Sequence, residues 1–208
     1  MTARLPAACV ILAGGRSSRM GRDKATLRVG SRRLVDLVAA RVGPLFAERW
    51  IAVGSRALHP PRGWTAVRDR FPGAGPLAGV HAAMRAARRP FLFVVACDMP
   101  SVSPRVVRFL WSRRGRAGAV PEGPGGPEPL CAFYARSLLP AIERRLGSGS
   151  ARSVRALIRL RGVRRVGWGR LRGLDPAGEG FASLNRPQDL RRARAGRPRA
   201  ACRRGIVG

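Results

Sequence analysis

The sequence predicts an α/β protein, and three observations carry that prediction. Residues 7–13 and 91–96 are continuous apolar runs, the pattern of strands buried on both faces in a parallel sheet. Segments with apolar residues at helical spacing alternate with these runs. The first run ends at Gly14-Gly15 and the second runs into Cys97-Asp98, so a glycine turn and a carboxylate both fall at strand ends.

In chain order, the strand at 7–13 is followed by Leu34, Leu37, Val38 and Val42, whose i, i+3, i+4, i+8 spacing predicts an amphipathic helix with Ser31 as its N-cap. Short strands follow at 50–53 and 65–67, the latter ending near Asp69. The turn Phe71-Pro72-Gly73-Ala74-Gly75-Pro76 then breaks the chain before a helix over 77–87. Beyond the strand at 91–96, Ser103 and Pro104 mark the cap and first position of another helix. Strands at 117–120 and 130–134, helices at 138–146 and 154–160 and a strand at 163–168 complete the pattern. Residues 121–129 read as a Gly/Pro loop too poor in hydrophobics to pack, and 167–180 as irregular. The chain from 191 onward is mostly Arg, Ala, Gly and Pro and reads as disordered, giving one domain over 1–195 and an Arg-rich tail over 196–208.

The 208 residues carry 41 basic and 11 acidic side chains, a formal charge of +30. Such a charge suggests nucleic acid or an anionic surface as partner. Lys24 is nevertheless the sole lysine, and this arginine skew with abundant Ala, Gly and Pro marks much of the charge as compositional drift on solvated faces. Nucleic acid is therefore expected only as a non-specific partner of the Arg-rich surface. No apolar run has the ~18–20 residues of a membrane span and the start lacks a signal-peptide layout, so a cytoplasmic protein with no membrane partner is expected. Cys9, Cys97, Cys131 and Cys202 are far apart and form no C-x-x-C pair; Cys9 and Cys97 are expected as buried thiols.

The chemistry concentrates in Leu12-Ala13-Gly14-Gly15-Arg16-Ser17-Ser18-Arg19-Met20-Gly21-Arg22-Asp23-Lys24. Glycines permit close approach of backbone N–H groups to an anion, and Arg19 and Lys24 can neutralise phosphate charge. The spacing fits neither G-x-x-x-x-G-K-[ST] nor G-x-G-x-x-G. Asp98, at the exit of the most apolar strand, is either a hard oxygen ligand for a metal or a carboxylate for the nearby helix start. Asp69 sits where a turn aspartate often bonds its own backbone. Neither His59 nor His81 looks like a catalytic base.

LAGG-x-x-x-RMG-x-DK resembles the signature of nucleotidyltransferases, in particular the molybdenum cofactor guanylyltransferases, the MobA-like family. Gly75-Pro76-Leu77-Ala78-Gly79 is similar to that family's GPLAG loop and Cys97-Asp98-Met99-Pro100 to its metal-binding segment. Phe181 to Leu190 is similar to the closing element and 129–146 to the acceptor-side segment, so the resemblance spans about 7–190. It implies a Rossmann-like three-layer sandwich with a largely parallel central sheet and the site at the strands' C-terminal edge. It further implies transfer of GMP from GTP to molybdopterin or Mo-molybdopterin with release of pyrophosphate, Mg²⁺ as cofactor, and molybdoenzymes or cofactor-biosynthesis proteins as partners. By position, Leu12, Ala13, Gly14 and Gly15 would line the nucleotide, Lys24 and Arg19 would hold its phosphates, Asp69 with Gly75 and Gly79 would lie near ribose and base, and Asp98 would bind the metal. Arg19, Lys24 and Asp98 are thus the expected catalytic residues. Two departures stand out: Val53-Gly54-Ser55 where the family often carries Asn, and Ser183 where the closing element has its first Asn. A cytidylyltransferase for the same cofactor or another small-molecule nucleotidyltransferase is the alternative, the former typically showing LAAG; an Arg-rich nucleic-acid-binding protein is the remote one, disfavoured by an aromatic content of 6%.

Overall fold

The computed structural model describes residues 3–14, 27–54, 58–149, 153–184 and 189. Strand β1 (Leu5–Leu12) is followed by a small hairpin, β2 (Arg28–Val29) and β3 (Arg32–Arg33), then α1 (Leu34–Val42), β4 (Phe46–Ala52), β5 (Thr65–Val67), α2 (Pro76–Ala86) and β6 (Phe91–Ala96). Helix α3 (Pro104–Arg113) leads to β7 (Gly118–Gly123), β8 (Gly126–Pro127), β9 (Cys131–Ala135), α4 (Leu139–Gly147), β10 (Val163–Val166) and the one-turn α5 (Trp168–Leu171). The main sheet has the order β5-β4-β1-β6-β9, parallel except for antiparallel β9. A second sheet, β10-β7-β8, abuts β9 through β7, where the Ala135 N–H donates to the Ala117 carbonyl at 3.0 Å.

The period-2 alternation of strands divides the core into two layers. Cys9 and Ile11 face Val35, Val38 and Val42 of α1 and Val106, Val107 and Leu110 of α3. Ala8, Val10 and Leu12 face Leu77, Val80 and Met84 of α2 and Ile142 and Leu146 of α4. Because both faces are covered, every residue of β1 except Pro6 is buried, which is why its sequence reads as an unbroken apolar run. Phe46, Phe93 and Phe133 pack in the first layer, the Phe93 and Phe133 rings 4.9 Å apart. This is the three-layer α/β arrangement expected. Cys9, Cys97 and Cys131 are buried and free; burial pushes the Cys9 and Cys131 thiols up, leaving them inert. Cys202 lies outside the described residues. No helix among the described residues is long and apolar enough to cross a membrane.

Several local expectations change. Ser31 does not cap α1: it lies in the turn of the β2–β3 hairpin, and Arg33 occupies the N-cap with no side-chain bond, its guanidinium instead gripping Asp36 at 2.7 Å. Ser103, by contrast, caps α3, its Oγ accepting from the Val106 N–H at 3.4 Å. The second core strand begins at Phe46 rather than 50, because pairing with β1 carries Glu48 and Arg49 into the sheet despite their charge. The segment 154–160 is a 3-10 helix, Val154–Arg159. The loop at 121–129 forms the β7–β8 hairpin, held by backbone pairing, and Glu122 of β7 pairs with Arg165 of β10.

Candidate active site

The sheet order reverses at β1, with β4 on one side and β6 on the other, so a crevice opens at the C-terminal ends of these strands. Backbone bonds carry the strand ends into it. The Ala13 N–H donates to Ala52, the Val53 N–H to Val67 and the Cys97 N–H to Leu12. Gly14, Gly54, Asp69 and Asp98 are thereby delivered to one edge from β1, β4, β5 and β6.

Glycine is required at this edge for space. A Cβ on Gly14 would lie 3.1 Å from the Gly54 nitrogen, and one on Gly79 3.0 Å from the Ala52 Cβ and 3.1 Å from a Leu12 methyl. Gly54 and Gly75 also have φ of 63° and 68°, a region other residues avoid. Leu12, Gly14, Ala52, Asp69, Gly75, Pro76 and Gly79 line the resulting cleft. The asparagine expected after β4 is thus replaced by close-packed backbone at Gly54; Ser55 lies outside the described residues.

Asp69 is half-buried in this cleft, and its Oδ1 is buried with no hydrogen-bond partner. Burial pushes its carboxyl above the usual range, opposed by the charge of His81. An oxygen held this way lacks an N–H donor, which a ligand can supply. The turn explanation for Asp69, a bond to its own backbone, does not account for this orphan oxygen.

Asp98 is 6% exposed and lies two residues beyond the end of β6. Its carbonyl accepts from the Leu184 N–H at 2.9 Å, which ties the closing segment to the site. That segment is braced by Asp175, whose two oxygens accept from the Glu179 and Gly180 N–H groups at 3.1 and 2.8 Å. Half-buried Glu128, just before β9, has its carboxyl raised chiefly by burial, with the Arg155 charge opposing and the Asp98 charge adding. Asp98 and Glu128 carry hard oxygen donors of the type a divalent cation takes; no cluster of three ligating side chains occurs among the described residues. Beyond Gly75 and Pro76 the cleft continues into an apolar cavity of about 280 Å³ lined by Pro129, Leu130, Ser153, Val154 and Arg155.

The structure places Leu12, Ala13, Gly14, Asp69, Gly75, Gly79 and Asp98 at one edge of the sheet. Gly15, Arg19, Lys24 and Asn185 lie outside the described residues. Glu128, Arg155 and Asp175 were not anticipated. Glu128 had a signal in retrospect, being one of five glutamates and adjacent to a strand, but its sequence distance from Asp98 hid the pairing.

An α/β crevice with a glycine-lined cleft, an unpartnered carboxylate and a buried strand-end aspartate defines a nucleotide-handling enzyme. Residues 9–165 match the model of the MobA-like NTP transferase domain, and the chain belongs to that family. It is 37% identical over 191 residues to a probable molybdenum cofactor guanylyltransferase of Pelotomaculum thermopropionicum, covering 91% of this chain and 93% of that one. It is 36% identical over 189 residues to the molybdenum cofactor guanylyltransferase of Cereibacter sphaeroides, covering 88% and 93%. Among solved structures, it resembles the molybdopterin-guanine dinucleotide biosynthesis protein A of Archaeoglobus fulgidus, with a TM-score of 0.74 and 26% identity over 90% of this chain and 97% of that one. The 2-C-methyl-D-erythritol 4-phosphate cytidylyltransferase of Thermus thermophilus shares the fold, with a TM-score of 0.65 and 23% identity over 89% and 96%.

Proposed function

We propose that this enzyme transfers GMP from GTP to molybdopterin, or to its molybdenum-bearing form. A phosphate oxygen of the acceptor bonds to the α-phosphorus, the bond from that phosphorus to the β-phosphate bridge breaks, and pyrophosphate leaves with the electron pair. The relatives' activity supports the reaction, and Asp69 carries the choice of base. Guanine presents adjacent N1–H and N2–H donors on one edge, which a carboxylate with an unpartnered oxygen such as Asp69 can accept; cytosine and adenine present no such pair. Gly14, where a Cβ would crowd Gly54, supports the same choice over a cytidylyltransferase.

This reading assigns each part of the substrate to a set of residues. Leu12, Ala13, Gly14 and Gly15 would line the nucleotide, with Gly75 and Gly79 beside ribose and base. Arg19 and Lys24 would hold the phosphates, the lysine as a compact point charge. Asp98, with Glu128 nearby, would hold Mg²⁺, which when bound offsets charge on the phosphates. The apolar cavity beside Arg155 would receive the acceptor, its flat heterocycle against Leu130 and Val154. Since the acceptor phosphate is already ionised, positioning and charge stabilisation can carry catalysis without a general base. A cytoplasmic location, with molybdoenzymes or cofactor-biosynthesis proteins receiving the product, follows from this role. The Arg-rich surface would bind nucleic acid only non-specifically. The domain is taken to span 1–195, with 196–208 as a tail.

The test is pyrophosphate release with each of the four nucleoside triphosphates, Mg²⁺ and molybdopterin. GTP should give the highest kcat/KM and strict dependence on acceptor. Equal or better turnover with CTP overturns the base assignment.

A further inference from the structure

Tyr134 is the sole tyrosine of the chain and lies on β9 with no exposed surface, in the core layer of Ile142, Val154 and Leu157. Among these apolar side chains a phenylalanine would fill the same space without a polar atom to satisfy. The Tyr134 hydroxyl donates to the Pro129 carbonyl at 2.9 Å, a bond that is itself buried. A buried hydroxyl ordinarily takes such a partner, so the bond by itself marks only a satisfied core residue. Its partner, however, is a wall of the cavity that continues the nucleotide cleft.

Pro129 and Leu130 line that apolar cavity of about 280 Å³, together with Pro76 from the cleft and Val154. Three successive carbonyls hold this wall to the sheet. Glu128 accepts from the Cys131 N–H and Leu130 from the Ala96 N–H, each at 3.0 Å, whereas Pro129 accepts from the Tyr134 side chain. Proline has no N–H, so the carbonyl is the only backbone group through which position 129 can be tied down. Tyr134 thus supplies from a side chain what the backbone supplies at 128 and 130.

We propose that Tyr134 is a positioning residue for the acceptor substrate: its hydroxyl fixes the Pro129 carbonyl, and with it the Pro129–Leu130 wall, in the arrangement that receives a flat heterocycle. The role rests on this cavity receiving molybdopterin. Tyr134 acts through the wall, being fully buried in the core. A wall free to take several arrangements binds in one of them, and the apparent affinity falls by the fraction of molecules that hold it. The glycine cleft is carried by β1, β4 and α2 and does not depend on this bond, so the effect belongs to KM for the acceptor and not to KM for GTP or to kcat.

The experiment uses the full chain with molybdopterin, GTP and Mg²⁺. Tyr134→Phe keeps the ring and its packing and removes the bond. Its KM for molybdopterin at saturating GTP should rise roughly 2–10-fold, the worth of one hydrogen bond, while KM for GTP and kcat stay close to wild type. Leu130→Ala removes part of the wall itself and should raise the same KM; the double variant should show less than the product of the two effects, since a wall already lost has no arrangement to fix. A purely structural role for the hydroxyl predicts a lower Tm with both KM values unchanged, and that outcome overturns the proposal, as do an equal rise in both KM values and multiplicative effects in the double variant. Because Tyr134 is the sole tyrosine, meta-fluorotyrosine incorporated throughout the chain gives one fluorine resonance, which reports on this site with no substitution elsewhere. The resonance should shift on titration with molybdopterin; a resonance unmoved at saturation overturns the coupling. If Leu130→Ala and Val154→Ala both leave KM for molybdopterin unchanged, the cavity is not the acceptor's place and the proposal falls with that reading; if they raise it and Tyr134→Phe does not, only the role of Tyr134 fails.

Discussion

Replacing Asp69 by Asn should stabilise the protein while weakening its substrate, and the two effects have separate origins. The carboxylate has a buried oxygen without a partner, and burial raises its proton affinity. A buried unsatisfied charged group costs at least ~1–3 kcal/mol, and half-exposure calls for the low end, about 1 kcal/mol. Asn removes the charge but retains an orphan carbonyl, so a gain of up to about 1 kcal/mol, or ~2–4 °C in Tm, is expected at pH 7. The sign depends on pH. A carboxyl whose folded pKa is raised above its ordinary 3.8 contributes stability below the unfolded value that is lost as pH rises through the folded value. The Asn variant should therefore gain its advantage at neutral pH and lose it as pH falls through the raised value towards 3.8. In binding, two charge-assisted hydrogen bonds become neutral and one donor–donor conflict appears, a loss of about 2 kcal/mol or roughly 30-fold in KM for GTP. Thermal unfolding at pH 4 and 7 with GTP kinetics measures both. A lower Tm at pH 7, or an unchanged GTP KM, refutes the reasoning.

Asp98→Asn should lower kcat at least ~100-fold at saturating Mg²⁺ while circular dichroism and Tm remain close to wild type, since the carboxylate's charge is assigned to the metal. Gly118→Ala should destabilise by about 3 kcal/mol or more, because Gly118 has a φ of 140° and a Cβ would overlap the Phe133 carbonyl oxygen; a urea midpoint near wild type would contradict this. A chain ending at Gly196 should retain its guanylyl-transfer rate and bind nucleic acid less at low salt, measured by anisotropy over a salt series, because counterion release scales with the arginines removed.

The order of strands and helices was legible because burial on both faces writes continuous apolar runs and burial on one face writes helical spacing. For the same reason Gly14, Asp69 and Asp98 could be placed at strand ends from their neighbours, while Gly79 was singled out through the resemblance to the GPLAG loop. Lys24 and Arg19 were singled out from chemistry alone, in a stretch of sequence without apolar periodicity, and they lie outside the described residues. Boundaries failed where backbone pairing outweighed side-chain character: β4 takes in Glu48 and Arg49, and the β7–β8 hairpin forms from a Gly/Pro stretch. Tertiary structure alone decided that β9 runs antiparallel, since a short apolar run has the same pattern in either direction. It alone brought Glu128 within reach of Asp98 and His81 against Glu143, 62 residues away. A titratable side chain's neighbours across the chain depend on how helices and strands pack, and the local spacing that encodes an element carries no record of them.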